Sequence, residues 1–226
     1  MVSPTATVAE LDEAYIRRME DVLKLYEKPL SEEEPVVCID EKPVVLHADI
    51  RPSLPARPGC PARRDYEYER CGTANVFCGV EPKAGRHFPK ATATRSAAEF
   101  ADYLVEIIAR YPRARTIHLV LDNLNTHCRK ALTDRYGEKL GGLLWARFTV
   151  HYTPTHGSWL NQAEIEVGLL SRQCLGKRRI SSLNTLRDEV CAWGHRINHD
   201  RTTIDWKFTR KQARRKLHYS TTRTRY

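Results

Sequence analysis

Three acidic side chains stand where they could meet at one metal-binding point. Asp40 ends an apolar run that begins at Val36, and Asp122 ends a second run that begins at Ile117. Glu164 opens a helix-like apolar stretch. Converging carboxylates repel each other unless a cation lies between them, and hard oxygen ligands of this kind favour Mg²⁺ or Mn²⁺. The pattern therefore predicts metal-assisted chemistry on phosphates.

The charge of the chain fits a polyphosphate partner. The formal net charge is +9 and it is unevenly spread. Residues 1–34 hold nine acidic and four basic residues, whereas residues 171–226 hold fifteen basic and four acidic ones. A basic C-terminal quarter beside a carboxylate site indicates nucleic acid, because neutralised phosphates supply much of the affinity. The alternative is a basic surface that serves solubility alone.

The remaining composition excludes several other classes of protein. The seven cysteines and nine histidines show no zinc-binding spacing. An odd number of cysteines without a secretory signal predicts reduced thiols in the cytosol. No apolar stretch approaches the ~20 residues needed to cross a bilayer, so we expect no membrane partner.

Hydrophobic periodicity places the acidic residues on alternating strands and helices. Strands are predicted at 36–39, 44–50, 116–121 and 148–152, and a hairpin at 66–69 and 73–80. Helices are predicted at 8–28, 96–111, 126–137, 159–175 and 183–199. Residues 51–64 read as a loop, and the basic tail from 207 as partly disordered or as a track for a DNA backbone. This order predicts an α/β sheet whose ligand site lies at the carboxyl ends of strands.

Three sequence motifs surround the acidic residues. They are VCIDEK at 37–42, LDNLNTH at 121–127 and YTPTHGSWLNQAE at 152–164, with 41 residues between Asp122 and Glu164. In this order they resemble the catalytic domain of DDE transposases, in the bacterial insertion-sequence branch of the mariner-like superfamily. The resemblance runs from residue 15 to 210. It implies a ribonuclease H-like mixed sheet flanked by helices, two Mg²⁺ or Mn²⁺ ions, and cut-and-paste DNA transposition.

The resemblance also assigns the three acids as catalytic, metal-binding residues. Asp40 would bridge both ions, while Asp122 and Glu164 would each hold one. The ions would activate the attacking oxygen and stabilise the leaving one in an in-line displacement, which needs two cations roughly 3.5–4 Å apart. Glu166 is two residues from Glu164 and faces about 200° away on a helix, so only one of them can join the site. The motif favours Glu164, and strand alternation turns Glu41 to the other face, as a bystander or a supporting residue.

Several residues near the motifs have alternative interpretations. Asn123 would bind phosphate or cap a helix, and His127 would contact DNA, orient Asp122 or lie exposed. Asn161 would position water or phosphate, or be an ordinary polar residue at a helix start. Trp159 would stack on a base or fill the core, and we favour the core. The predicted DNA-contacting residues are Lys42, Asn123, His127, His156, Asn161, Arg172, Lys177 and Arg178.

The resemblance divides the chain into three parts. These are an N-terminal linker helix at 1–34, the ribonuclease H-like DDE catalytic domain at 35–180, and a C-terminal helix with a basic tail at 181–226. Full-length members begin with helix-turn-helix DNA-binding units, which one acidic helix cannot form. We therefore expect a catalytic half, from a truncated gene or a split reading frame with a separate helix-turn-helix product.

The expected setting is a bacterial one. The chain would act as a homodimer on transposon ends and target DNA, in the cytosol and at the nucleoid. The alternatives are a truncated, inactive DNA-binding remnant and a stand-alone ribonuclease H-like nuclease. The segment SWLNQAE at 158–164 argues against the nuclease.

Overall fold

Five strands form one mixed sheet in the computed structural model, which describes residues 12–122 and 127–219. Along the sheet the strands follow the order β3-β2-β1-β4-β5. β1 pairs with β2 and β2 with β3 in antiparallel fashion, whereas β1–β4 and β4–β5 are parallel. The strands are β1 Val36–Asp49, β2 Tyr68–Glu81, β3 Arg86–Thr92, β4 Ile117–Leu121 and β5 Phe148–Tyr152. The predicted mixed α/β sheet is confirmed.

Seven α-helices flank this sheet in the described part of the chain. They are α1 Glu13–Glu27, α2 Ala97–Arg110, α3 Arg129–Tyr136, α4 Glu138–Trp145, α5 Ala163–Leu169, α6 Leu183–Asp200 and α7 Arg210–Leu217. A 3₁₀ turn, Ser158–Leu160, precedes α5, and a π-helical segment, Leu170–Leu175, continues it. None of the described helices combines the length and the apolar character that spanning a membrane requires.

Strand alternation sends neighbouring side chains into two different cores. Val37 and Ile39 of β1 join Leu119 of β4 under α2, α3 and α4. Cys38 of β1 and Val120 of β4 lie in a core on the opposite face, with side chains of α1, α5 and α7. Because successive strand residues point to opposite faces, the position that follows Ile39 belongs to the second face.

The central strands are longer than the sequence predicts. The predicted pieces 36–39 and 44–50 are one strand, β1, and the predicted hairpin from 66–69 and 73–80 is likewise one strand, β2. The polar residues of 40–43 interrupt the apolar pattern, but the backbone continues because β2 pairs with it from Cys38 to Asp49. Pro43 is tolerated because β4 pairs only with Val36–Cys38, which leaves the other side of β1 without a partner strand.

Two further elements, β3 and α4, have no counterpart in the prediction. β3 is an edge strand that contains Pro89 and three basic residues, so it lacks the apolar run of a central strand. α4 contains Gly141 and Gly142, which weaken a helical pattern. A Cβ at Gly141 would lie 2.4 Å from the carbonyl oxygen of Leu132, so the close packing of α4 on α3 requires glycine there.

The segments on either side of 35–180 pack directly onto the sheet. Residues of α1 and α7 share a hydrophobic core with β1, β2 and β4, and residues of α6 share another with β1, β2 and β3. The tail, which was expected to be partly disordered, forms α7 behind a capping box at Thr209. The boundaries at 34/35 and 180/181 therefore cross continuous cores, and the three-part division stays a prediction.

Candidate active site

Asp40 and Asp122 come from two neighbouring strands that pair in parallel. The parallel ladder pairs Cys38 with Val120, and each aspartate stands two residues beyond its member of that pair. Strand alternation turns Asp40 to the face covered by α1 and α5, and Asp122 lies close enough for its charge to act on Asp40. Asp122 follows the end of β4, as predicted, whereas Asp40 lies within β1 rather than at a strand end. The register of two parallel strands thus brings the two carboxylates together.

The start of α5 is fixed to β1 through Asn161. Its side-chain amide donates to the carbonyl of Ile39 at 2.8 Å, and its side-chain oxygen accepts from the backbone N–H of Ala163 at 3.1 Å. Asn161 is buried and both ends of its amide are used, which argues against the predicted contact with DNA. It anchors the helix that carries Glu164 beside the residue that precedes Asp40.

The two glutamates of α5 lie in opposite environments. Glu164 is exposed, and its charge acts on Asp40. Glu166 is fully buried and contacts His87 of β3, with Glu166 Oε2 lying 2.8 Å from His87 Nδ1. The half-turn between them on the helix therefore separates a residue facing the carboxylate cluster from a residue facing the core.

Asp40 has an unusual proton affinity. Its pKa is raised to about 7, chiefly by burial and also by the charges of Glu164, Asp122 and Glu41, although a hydrogen bond from the Glu41 backbone lowers it. Ionisation of Asp40 at neutral pH therefore costs free energy. A cation bound beside these carboxylates would stabilise the ionised form of Asp40 and offset that cost.

His127 connects Asp122 to Glu41. Its Nδ1 lies 2.5 Å from Asp122 Oδ1 and its Nε2 lies 2.7 Å from Glu41 Oε1. Burial lowers the pKa of His127, but the hydrogen bonds to Asp122 and Glu41 outweigh it and raise the pKa to about 9. At neutral pH the ring is therefore an imidazolium that donates to both carboxylates. Its ring is fully buried, which argues against the predicted contact with DNA, and the alternative that it orients Asp122 agrees with the geometry.

A second buried pair, His87 and Glu166, lies beneath α5. His87 Nε2 lies 3.0 Å from the carbonyl of Thr202, which can only accept, so Nε2 carries a proton. Because a hydrogen bond between His87 Nδ1 and the Glu166 carboxyl needs a donor, a further proton must lie between these two groups. Both side chains are completely buried, and Glu166 Oε1 has no hydrogen-bond partner among the described residues. The pair ties α5 to β3 and to the segment that follows α6.

Alanine replacements should separate the two glutamates. Glu164→Ala removes an exposed carboxylate from a repelling cluster, so we expect loss of metal-dependent nicking with the free energy of unfolding unchanged within about 0.5 kcal/mol. Glu166→Ala strands the buried His87 and should cost about 3–5 kcal/mol. Urea unfolding and plasmid nicking of both variants measure this. If Glu166→Ala abolished nicking without destabilising the fold and Glu164→Ala did the opposite, Glu166 rather than Glu164 would belong to the carboxylate cluster.

The other predicted DNA-contacting residues lie at or near the surface or outside the described part. His156, Arg172 and Lys177 are exposed, and Lys42 is half-buried. Arg178 is exposed as well, but it pairs with Glu189 at 2.8 Å. Asn123 lies outside the described residues. The contact of these side chains with DNA stays a prediction.

Trp159 is not the core residue that was favoured. Its side chain is 43% exposed, and its Nε1 donates to the hydroxyl of Tyr15 at 3.3 Å. The 3₁₀ turn that contains it instead sends Leu160 into the core. The base-stacking alternative for Trp159 is therefore open.

The carboxylate cluster suits a hard cation by its chemistry. Asp40, Asp122 and Glu164 supply only oxygen ligands, and the raised pKa of Asp40 shows that their charges act on one another. Within residues 12–122 and 127–219, however, no three acidic, histidine or cysteine side chains converge closely enough to enclose a metal ion. Mg²⁺ is commonly held by one or two carboxylates together with water and substrate phosphates, so an open donor set of this kind fits it.

The interactions that support the site were mostly missed from the sequence. Strand alternation predicted that Glu41 points to the face opposite Asp40, and there Glu41 contacts His127. Nothing in the sequence connects His87 with Glu166, because 79 positions separate them and β3 itself was not predicted.

Comparison with known proteins defines the class and then the family. The chain is similar to the Mos1 mariner paired end complex with Mn, at 17% identity and a TM-score of 0.53 over 86% of this chain and 61% of that one. For the complex with Mg the identity is 16% and the TM-score 0.54, over 89% and 63%. The mixed sheet flanked by helices is thus the ribonuclease H-like fold, as predicted. This chain spans less than two thirds of the length of those relatives.

The family follows from the sequence match. The family described as DDE superfamily endonuclease matches residues 35–187. The chain therefore belongs to the DDE superfamily of endonucleases. Among curated proteins, none is significantly similar to it in sequence.

Proposed function

We propose that this chain catalyses metal-dependent cleavage and strand transfer of DNA phosphodiesters, as a DDE transposase does in cut-and-paste transposition. The observation that carries the proposal is the juxtaposition of Asp40 and Asp122 by the β1–β4 register, with Glu164 close enough to act on Asp40. These are the three acids of the motifs, and they come from separate elements of a domain that belongs to an endonuclease superfamily.

Each acidic residue has a distinct role in this proposal. Asp40 would contact both of two divalent ions, and Asp122 and Glu164 would hold one ion each. Bound cations supply charge neutralisation at the phosphate and activation of the attacking oxygen. His127 fixes the orientation of Asp122, and Asn161 fixes the start of the helix that carries Glu164. Mg²⁺ and Mn²⁺ are both candidates, and the two Mos1 mariner relatives are complexes with Mn and with Mg.

The wider biological setting is part of the same proposal. The solved relatives are paired end complexes, which supports transposon ends and target DNA as partners here. A homodimer, a separate helix-turn-helix protein for end recognition, and a place in the bacterial cytosol at the nucleoid remain predictions.

Nicking of supercoiled plasmid in Mg²⁺ or Mn²⁺ tests the proposal. We expect the wild type to nick, chelation to stop it, and Asp122→Ala to abolish it without loss of the fold. DNA binding without cleavage in either metal would contradict the enzyme and favour the alternative of an inactive DNA-binding remnant. Nicking without joining of a 3′-hydroxyl end to target DNA would favour the stand-alone nuclease.

A further inference from the structure

The two sides of α7 use their basic residues differently. Arg214 forms a two-fold hydrogen bond with Glu20 of α1, at 2.8 and 2.6 Å, and Arg210 pairs with Glu27 of α1 at 2.7 Å. Arg215 and Lys216 are exposed and have no acidic partner among the described residues. Two of the five basic residues of α7 thus hold the helix on α1, while Arg215 and Lys216 are available to a ligand.

The available cations line an open groove of about 580 Å³. Its lining consists of Lys207, Phe208, Gln212, Arg215, Lys216 and His218. No acidic residue is among them, although Asp205 pairs with Lys207 at its margin. The groove therefore combines a positive potential with an aromatic ring.

Phe208 connects this groove to Trp159. The two rings meet edge to face, with centroids 5.5 Å apart and planes at 71°. The hydrogen bond from Trp159 Nε1 to Tyr15 fixes the indole, yet 43% of the side chain stays exposed. A large aromatic ring that is held in place but left uncovered is suited to stacking with a flat ligand.

The aromatic pair lies at the edge of the sheet that carries the aspartates. α1 runs antiparallel to β4 and β5: its C-cap Lys28 lies 3.4 Å from His118 near the start of β4, and Asp21 lies 2.6 Å from His151 near the end of β5. Tyr15 is six residues further, about 9 Å along the helix axis. It therefore reaches past the carboxyl ends of the strands, and Trp159 bonds to it there.

We propose that Trp159, Phe208, Arg215 and Lys216 form a binding site for an unpaired DNA strand. A base stacks on the exposed indole while backbone phosphates follow the cations of α7, the combination that single-strand binding sites use. Duplex DNA cannot supply that contact, because its bases are already stacked. The site rests on the proposed function, which requires strands to separate near the carboxylates. A second copy of this chain is disfavoured in the groove, because the chain itself carries a net charge of +9.

Fluorescence anisotropy with a short single-stranded oligonucleotide, in chelator to prevent cleavage, tests the site. Trp159→Ala should weaken binding by about 5–100-fold, the loss of one base–aromatic stack, while Trp159→Phe keeps most of the affinity. Arg215→Ala/Lys216→Ala should lower the magnitude of the salt slope by about 1.4. 2-Aminopurine in the oligonucleotide should be quenched by the wild type and not by Trp159→Ala.

A matched double variant elsewhere on the surface provides the control. Arg113 and Lys139 are exposed, and Arg113→Ala/Lys139→Ala removes the same charge as the α7 variant. Equal weakening by both double variants, or unchanged binding by a folded Trp159→Ala, would overturn the site. A change of oligomeric mass rather than of oligonucleotide affinity in the α7 variant would also overturn it, in favour of a contact between copies.

Plasmid nicking keeps this inference separate from the proposed function. Nicking with no effect of Trp159→Ala on strand binding would refute the site and leave the enzyme intact. Strand binding that depends on Trp159, in a protein that never nicks, would support the site and refute the enzyme.

Discussion

Replacing Asp40 with asparagine is expected to abolish metal-dependent nicking and to stabilise the metal-free protein. A bound cation stabilises the transition state by several kcal/mol, so losing one of its ligands should lower the rate of nicking by at least ~10³-fold. The stability gain has a separate origin. The carboxylate of Asp40 is buried and is repelled by the charges of Glu164, Asp122 and Glu41. A neutral amide at that position avoids the free-energy costs of both desolvation and repulsion.

The pH dependence of that gain follows from the proton affinity of Asp40. The folded carboxyl keeps its proton up to a pKa of about 7, whereas the ordinary value is 3.8. The folded state therefore binds more protons than the unfolded state between these values, and the wild type loses stability relative to Asp40→Asn as pH rises through that range. The difference should be absent below pH ~4 and reach about 2–4 kcal/mol above pH ~7. Urea unfolding in chelator at several pH values measures it.

Mg²⁺ provides the second arm of the same experiment. A cation that binds only the folded state raises its stability by mass action, so Mg²⁺ should stabilise the wild type and not Asp40→Asn. Asp134→Asn, which changes an exposed aspartate of α3, should follow the wild type throughout. A gain for Asp40→Asn that is equal at pH 4 and pH 8, or a Mg²⁺ response that survives the replacement, would show that Asp40 is not part of a cation-binding cluster.

Elements governed by local pattern were predictable from the sequence. β5 matches the predicted strand at 148–152, and β4 begins one residue after the predicted strand at 116–121. Both are short apolar or β-branched runs in the parallel part of the sheet. α2 was predicted to begin at 96, and Ser96 caps it by accepting from the N–H of Glu99. The failures lie where tertiary pairing overrides the local signal. β1 continues through Asp40 to Pro43 because β2 supplies its ladder, although the residues that interrupt the pattern are those of the site.

The candidate site divides in the same way. The three acids were predictable because each has a motif of its own, and strand alternation fixes the face to which Asp40 points. Their supports were not, since they join positions far apart in sequence: Glu41 to His127 across 86 residues, and Asn161 to Ile39 across 122. Polarity alone suggested DNA contact for His127 and Asn161, and only the packing shows that both are buried beneath the acids they support.

His127→Ala should weaken both the activity and the fold. Residues that orient a metal ligand typically contribute 10–100-fold to metal affinity or rate, so we expect nicking to fall by about that factor. The Glu41 side chain is only 6% exposed and would lose its charged partner, which should cost about 3–5 kcal/mol. Because the pKa of His127 is raised to about 9, its contribution is fully present below the unfolded value near 6.5 and is lost as pH rises through about 9. Urea unfolding in chelator between pH 6 and 10 should show that loss in the wild type and not in the variant.

A double variant separates the structural part of this effect from the positioning of Asp122. Glu41→Gln/His127→Ala removes the stranded buried charge, so it should recover much of the lost stability. It restores no donor to Asp122, so nicking should stay as low as in His127→Ala and should need a higher Mg²⁺ concentration for half-maximal rate. Recovery of activity together with stability would mean that His127 acts only through the fold. Recovery of stability alone would place its catalytic effect in the hydrogen bond to Asp122, which is the contact that links the interior of the sheet to the proposed metal ligands.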